Sequence, residues 1–73
     1  EYELPLDTHM ELTIYDVQGR TVNNLINKKR NSGKSFIQWN AKDNYGKTVP
    51  SGIYFFSMKA GDFQKTNKMM LLK

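Results

Sequence analysis

The 73-residue chain is predicted to be all-β, a small antiparallel β-sandwich of six to seven short strands. Three observations predict it: β-prone runs with a two-residue period recur, turn residues separate them at short intervals, and no stretch holds a 3.6-residue helical period. The densest run, Ile53-Tyr54-Phe55-Phe56-Ser57-Met58, follows directly on Val49-Pro50-Ser51-Gly52. Proline presets φ and offers no ladder donor, and glycine supplies backbone freedom, so Pro50-Ser51-Gly52 ends the preceding segment sharply. Tyr54, Phe56 and Met58 then fall on one face, and Ile53, Phe55 and Ser57 on the other. Bulk on both faces predicts a central strand of a two-layer structure.

From the beginning, Tyr2 and Leu4 alternate with Glu1 and Glu3 as a short edge strand, which Pro5 confines or ends. Asp7-Thr8-His9 is predicted to be a turn. Met10, Leu12 and Ile14 then face one way and Glu11, Thr13 and Tyr15 the other, a half-buried strand with its polar face in water. Asp16-Val17-Gln18-Gly19-Arg20 closes that strand, with Gly19 at positive φ. Thr21 to Ile26 returns as a strand, and a bulge near Asn23-Asn24 brings Val22 and Leu25 back into phase. Lys28, Lys29, Arg30 and Lys34 stand among Asn27, Asn31, Ser32 and Gly33, the composition of a loop.

Ser35 to Asn40 is the next predicted strand, with Ile37 and Trp39 inward. Trp39 is expected at the centre of the core, its indole N–H in need of a partner. Lys42-Asp43-Asn44-Tyr45-Gly46-Lys47 is a polar turn. It offers oxygens that suit Ca²⁺ but lacks the acidic ladder and distal glutamate of a calcium loop, so a self-satisfied turn is expected. The central strand reaches Lys59-Ala60, and Gly61-Asp62 makes a hairpin turn. A last strand then runs from about Phe63 to Leu72 through the apolar Met69-Met70-Leu71-Leu72, with Lys73 behind it. No internal repeat is evident.

Composition bounds the function. Residues 1–73 read as one domain, too small for a deep cleft between lobes, and of a size that buries only about 60% of its unfolded surface. With no cysteine, neither a disulfide nor a thiolate metal site supports the core, and the compartment stays open. No apolar run approaches the roughly 18 residues of a membrane span. The chain begins at Glu1, and is read as a piece of a longer protein.

The net charge of +4 concentrates in Lys28, Lys29, Arg30 and Lys34, a candidate basic contact loop for acidic glycan or phosphate, with Phe36 and Trp39 near enough to stack. Lysines at loops and edges also keep small β domains soluble, and no nucleic-acid partner is expected. His9 is alone, and Asp7, Asp16, Asp43 and Asp62 sit at strand ends where they cap backbone N–H groups. There is no nucleophile elbow, phosphate-cradling loop or zinc-type histidine pair, so neither catalysis nor a cofactor is expected.

Several pieces then recur together and in order: Leu12-Thr13-Ile14-Tyr15-Asp16, Gly19-Arg20, Ile37-Gln38-Trp39-Asn40, Asp43-Asn44-Tyr45-Gly46-Lys47, Val49 to Phe55, and Lys68 to Lys73. In these the chain resembles the C-terminal sorting domain of the type IX (Por) secretion system, itself related to the immunoglobulin-like domain of flagellar hook-capping proteins. The resemblance covers nearly the whole chain. It implies an immunoglobulin-like sandwich at the end of an exported bacterial protein, without catalysis, recognised by the type IX machinery. A sortase-like enzyme then removes the domain and leaves an N-terminal cargo on the surface. Localisation would be secreted or at the outer-membrane surface, by way of the periplasm.

Carried onto this chain, Pro50, Gly52 and Tyr54 shape the recognition region, and Lys68, Met69, Met70, Leu71, Leu72 and Lys73 form the terminal signal strand. Family members usually begin with an Asn-Pro-rich strand, so a first strand is expected to be missing here or supplied by upstream sequence or another molecule. Where many members have Trp-Asp-Gly, this chain has Trp39-Asn40-Ala41. The alternative is a structural or adhesive immunoglobulin-like module for filament-like or hook-like assembly, self-association through an edge strand, or glycan binding. On that reading the turn is only a turn, and Tyr54, Phe56 and the last strand are only packing.

Overall fold

A computed structural model describes residues 2–4, 7–35 and 37–72. Among them are six strands, β1 (Tyr2–Leu4), β2 (Thr8–Tyr15), β3 (Thr21–Arg30), β4 (Gly33–Ser35), β5 (Gly52–Ala60) and β6 (Phe63–Leu71), and no helix. They form two antiparallel sheets, one of four strands in the order β3-β2-β5-β6 and one of β1 with β4. The all-β expectation therefore holds. Pro5, Phe36 and Lys73 lie outside the described residues.

The two strands with the strongest apolar patterns are the interior strands of the larger sheet. Met10, Leu12 and Ile14 of β2 lie opposite Ala60, Met58 and Phe56 of β5, so the inward faces meet in register. One core cluster gathers Leu4, Met10, Leu12, Ile26 and Ala60, and a second gathers Ile14, Val49 and Tyr54. Leu4 comes from the small sheet and Val49 from the segment before β5, so the second layer is built by short pieces rather than by long strands.

Three sequence expectations are corrected. Thr8 and His9 are not a turn but the start of β2, paired with Arg30 and Lys29. The strand from Thr21 does not stop at Ile26. Met10, wholly buried, pairs with Lys28, so the ladder that holds it carries the strand on to Arg30. Lys28, Lys29 and Arg30 thus belong to β3 and Lys34 to β4, and the basic loop does not exist as a loop. Neighbouring residues of a strand point to opposite faces, which disperses the charge rather than presenting it as one patch.

The bulge expected near Asn23-Asn24 is present, and there are two. Two register shifts leave Leu25 and Val22 unpaired, one on each side of Asn23-Asn24, and both side chains pack against the core. One extra residue at each place turns an out-of-phase apolar side chain inward. Third, regular pairing ends at Ser35, and Ile37 to Asn40 run as irregular chain. Trp39 is half-buried beside the second cluster, not the centre of the core, which belongs to Met10 and Ile14. Its indole N–H donates to the Lys42 carbonyl at 2.8 Å, the partner it was expected to need.

Candidate interaction surface

The turn before β5 is locked from three directions. Gly52 sits at φ +154°, a region that side-chain-bearing residues rarely adopt. Tyr54 is buried, and its hydroxyl donates to the Pro50 carbonyl at 2.7 Å, tying the strand back to the turn that starts it. Its ring meets Trp39 edge-on at 5.3 Å between centroids and 71° between planes, a geometry aromatic pairs prefer. Pro50, Gly52 and Tyr54, which the resemblance assigns to the recognition region, stand together at this turn, and what they visibly do is fix its shape.

Beside this turn lies Asp16-Val17-Gln18-Gly19-Arg20, and the two border one shallow groove. Asp16 Oδ1 accepts the Gln18 and Arg20 backbone N–H groups, each at 2.9 Å, while the Gly19 N–H donates to the Asp16 carbonyl at 3.0 Å. Asp43 repeats the pattern. Its Oδ1 accepts from the Tyr45 and Lys47 N–H groups at 2.9 Å, and the Gly46 N–H donates to its carbonyl at 3.1 Å. Gly19 at φ +82° and Gly46 at φ +80° complete two copies of one Asp-x-x-Gly-basic turn. The repetition was visible in the sequence, as Asp16-x-x-Gly19-Arg20 and Asp43-x-x-Gly46-Lys47, at a scale too short to count as an internal repeat. Asp43 thus spends its carboxylate on its own backbone, as the turn reading expected.

Only in the first copy does a guanidinium also close on the carboxylate, with Arg20 Nε 2.9 Å from Asp16 Oδ2. Chiefly the Arg20 backbone N–H holds the Asp16 carboxyl below its ordinary 3.8. Desolvation pulls the other way, and the guanidinium and the Gln18 N–H add to the lowering. A carboxylate with a lowered folded pKa stabilises above its unfolded value and loses that contribution as pH falls through the folded pKa. Wild type should therefore exceed Asp16→Asn in denaturation midpoint at neutral pH, and the gap should close as pH drops below 3.8. A gap independent of pH would show that the charge contributes nothing.

The two edges of the large sheet are treated differently. On β3, Asn44 acts as a one-residue extra strand: its N–H donates to the Val22 carbonyl at 3.0 Å and its Oδ1 accepts the Asn24 N–H at 2.9 Å. Asn23 Nδ2 adds a bond to the Lys42 carbonyl at 2.6 Å, so the Asp43 turn is stitched down over the bulged part of β3. Sequence reasoning missed Asn44, because its partners lie some 20 residues away across a bulge. On the other side, β6 pairs with β5 alone, from Gly52↔Leu71 to Ala60↔Phe63, and among the described residues no strand lies beyond it.

This open edge carries most of the predicted terminal strand. Lys68 to Leu71 lie within β6 and Leu72 follows it, with Met69 and Leu71 half-buried against the second cluster. Met70 and Leu72 are 66% and 79% exposed, and Phe63 at the other end is 51% exposed. Ile53, another exposed large apolar residue, is the cross-strand partner of Met70. The basic residues do not join this surface: Lys28 and Lys29 are on the far edge strand, and Lys34 pairs opposite Glu3 in the small sheet.

The model of the FlgD Ig-like domain matches residues 2–63. The chain belongs to the FlgD Ig-like domain family. Membership supports the relation to flagellar hook-capping proteins and agrees with the two-sheet antiparallel architecture, and nearly all of β6 lies past the matched residues. No curated protein and no solved structure matches the chain.

Proposed function

We propose that this FlgD Ig-like domain is a non-catalytic protein-interaction module that docks a partner strand on the free edge of β6. The observation that carries this is the contrast between the edges: β3 is clasped by Asn44 at Val22 and Asn24 and is polar from Asn27 on, whereas β6 is paired on one side only and exposes Phe63, Met70 and Leu72 around its edge. Unpaired ladder groups beside exposed apolar side chains are what an added strand uses. A non-catalytic role is supported by the duties of the polar groups: Asp16 and Asp43 hold turns, Asp7 accepts the Ser32 N–H, and His9 pairs with Asn27. A photo-crosslinking residue in place of Met70, in the protein within the cells that make it, should yield an adduct that the same residue in place of Asn27 does not. Equal yields, or none from position 70, would overturn this docking mode.

A second reading is the type IX sorting signal, with its export machinery, sortase-like processing and surface localisation. It is favoured by the resemblance of Lys68 to Lys73, most of which falls on that same free edge. A passenger ending in these 73 residues should then leave a bacterium that has the machinery and stay inside a mutant that lacks it. Deleting residues 68–73 should abolish export, as should Met70→Asp with Leu72→Asp, which touches only exposed side chains. Unchanged export of both variants would sink the sorting reading.

A further inference from the structure

The inward face of β6 does not end in solvent. Phe63, Lys65 and Met69 of β6, with Phe56 and Met58 of β5, open onto a cleft of about 450 Å³ under the small layer. Its far side is formed by Glu3, Ile37 and Trp39. A strand laid along β6 would send alternate side chains toward the mouth of this cleft and the others to the outer face of the sheet.

Charge distinguishes those two sets. From Phe63 to Leu71, β6 contains no acid, and it places Lys68 outward and Lys65 at the mouth of the cleft. Lys59 stands on the same outer face one strand further in, opposite Gln64. Among the described residues none of these lysines forms an ion pair. Inside the cleft the lining is mostly apolar, with the exposed Glu3 on its border, so a carboxylate pointing in would be desolvated. Outside, carboxylates would meet Lys68 and Lys59.

The same lysines argue against a second copy of this chain. Two β6 strands paired antiparallel would place a Lys68 from each copy on the outer face and a Lys65 from each on the cleft side, with no acid in either strand, in chains each carrying +4. Resting on the docking reading above, we infer that the occupant of β6 is an extended protein segment in which apolar residues alternate with carboxylates, apolar side toward the cleft and acidic side outward. The Lys65 stem covers part of the inserted apolar row while its ammonium stays in water.

The test uses three fluorescent nine-residue peptides, matching the length of β6, with valine alternating with glutamate, glutamine or lysine. Binding is read by anisotropy and its place by protection of the β6 amides. The glutamate peptide should bind about fivefold tighter than the glutamine peptide at low salt, with the difference shrinking as salt rises, and the lysine peptide should bind weakest. Lys68→Glu, a change at an exposed site, should reverse the order of the two charged peptides. If all three bind alike and protect β6, the acidic partner is wrong and edge docking survives. If none protects β6, edge docking itself is overturned.

Discussion

Met10→Ala should lower the stability of the domain by about 2–5 kcal/mol, the usual cost of truncating a buried long side chain and leaving a cavity. Met10 is 0% exposed. It stands on an interior strand between Lys28 of β3 and Ala60 of β5, and Leu4 of the small sheet shares its cluster. Ala60 is too small to collapse into the space, and Leu4 sits on a three-residue strand that has little else to hold it. At roughly 0.05–0.15 kcal/mol per residue, a chain of 73 residues has about 4–11 kcal/mol in total. The substitution therefore removes a large share, with no disulfide to retain the rest. In urea the midpoint should fall sharply at constant slope. Val17→Ala, at a side chain 67% exposed, should move it little. Equal shifts for the two variants would contradict the assigned core.

Two positions of positive φ should respond with opposite signs. Gly52→Ala should destabilise by about 1–3 kcal/mol, the cost of forcing a side-chain-bearing residue into a sparsely populated backbone region. A Cβ built at Gly52 meets nothing within 4 Å, so the loss is backbone strain without a steric part. Ala41 is the reverse case. It is a residue with a side chain held at φ +62°, where glycine is the ordinary occupant. Ala41→Gly should stabilise by up to about 1 kcal/mol, relief of strain exceeding the added freedom of the unfolded chain. Thermal melts of both variants decide the matter, and a stabilising Gly52→Ala would show that the turn tolerates another conformation. Ala41 also accepts the Val49 N–H at 3.0 Å, so the position closes the base of the Asp43 loop. The resemblance implies glycine at this place, where this chain has Ala41.

What the sequence made legible was whatever depends on near neighbours in the chain. The alternation of Met10, Leu12 and Ile14, the bulk on both faces of β5, and the two aspartate turns are local patterns with local causes, and each was found where expected. The pairing of Pro50 with Tyr54 is nearly as local, four residues apart. What escaped depends on distant partners. Lys28 to Arg30 look like a loop until the ladder to Thr8, His9 and Met10 is known, and a polar stretch can be a strand when only one neighbour demands it. The size of Trp39 points to the centre of the core, whereas its N–H is tied to the Lys42 carbonyl and the side chain stays half-buried. Asn44 gave no signal at all, since an asparagine in a turn is ordinary and only the bulged β3 opposite it gives the side chain a second use.

The unequal edges bias the direction in which paired strands can grow. A sheet open on both sides can be extended indefinitely, each added unit exposing a fresh edge for the next. Here the Asn44 clasp withdraws the β3 ladder at Val22 and Asn24, so a strand arriving on that side has a shorter edge to pair with, and one that carries Lys28 and Lys29. The two sides are therefore unequal acceptors: β6 offers its whole length to an added strand, and β3 only the part beyond the clasp, where Lys28 and Lys29 favour a different partner.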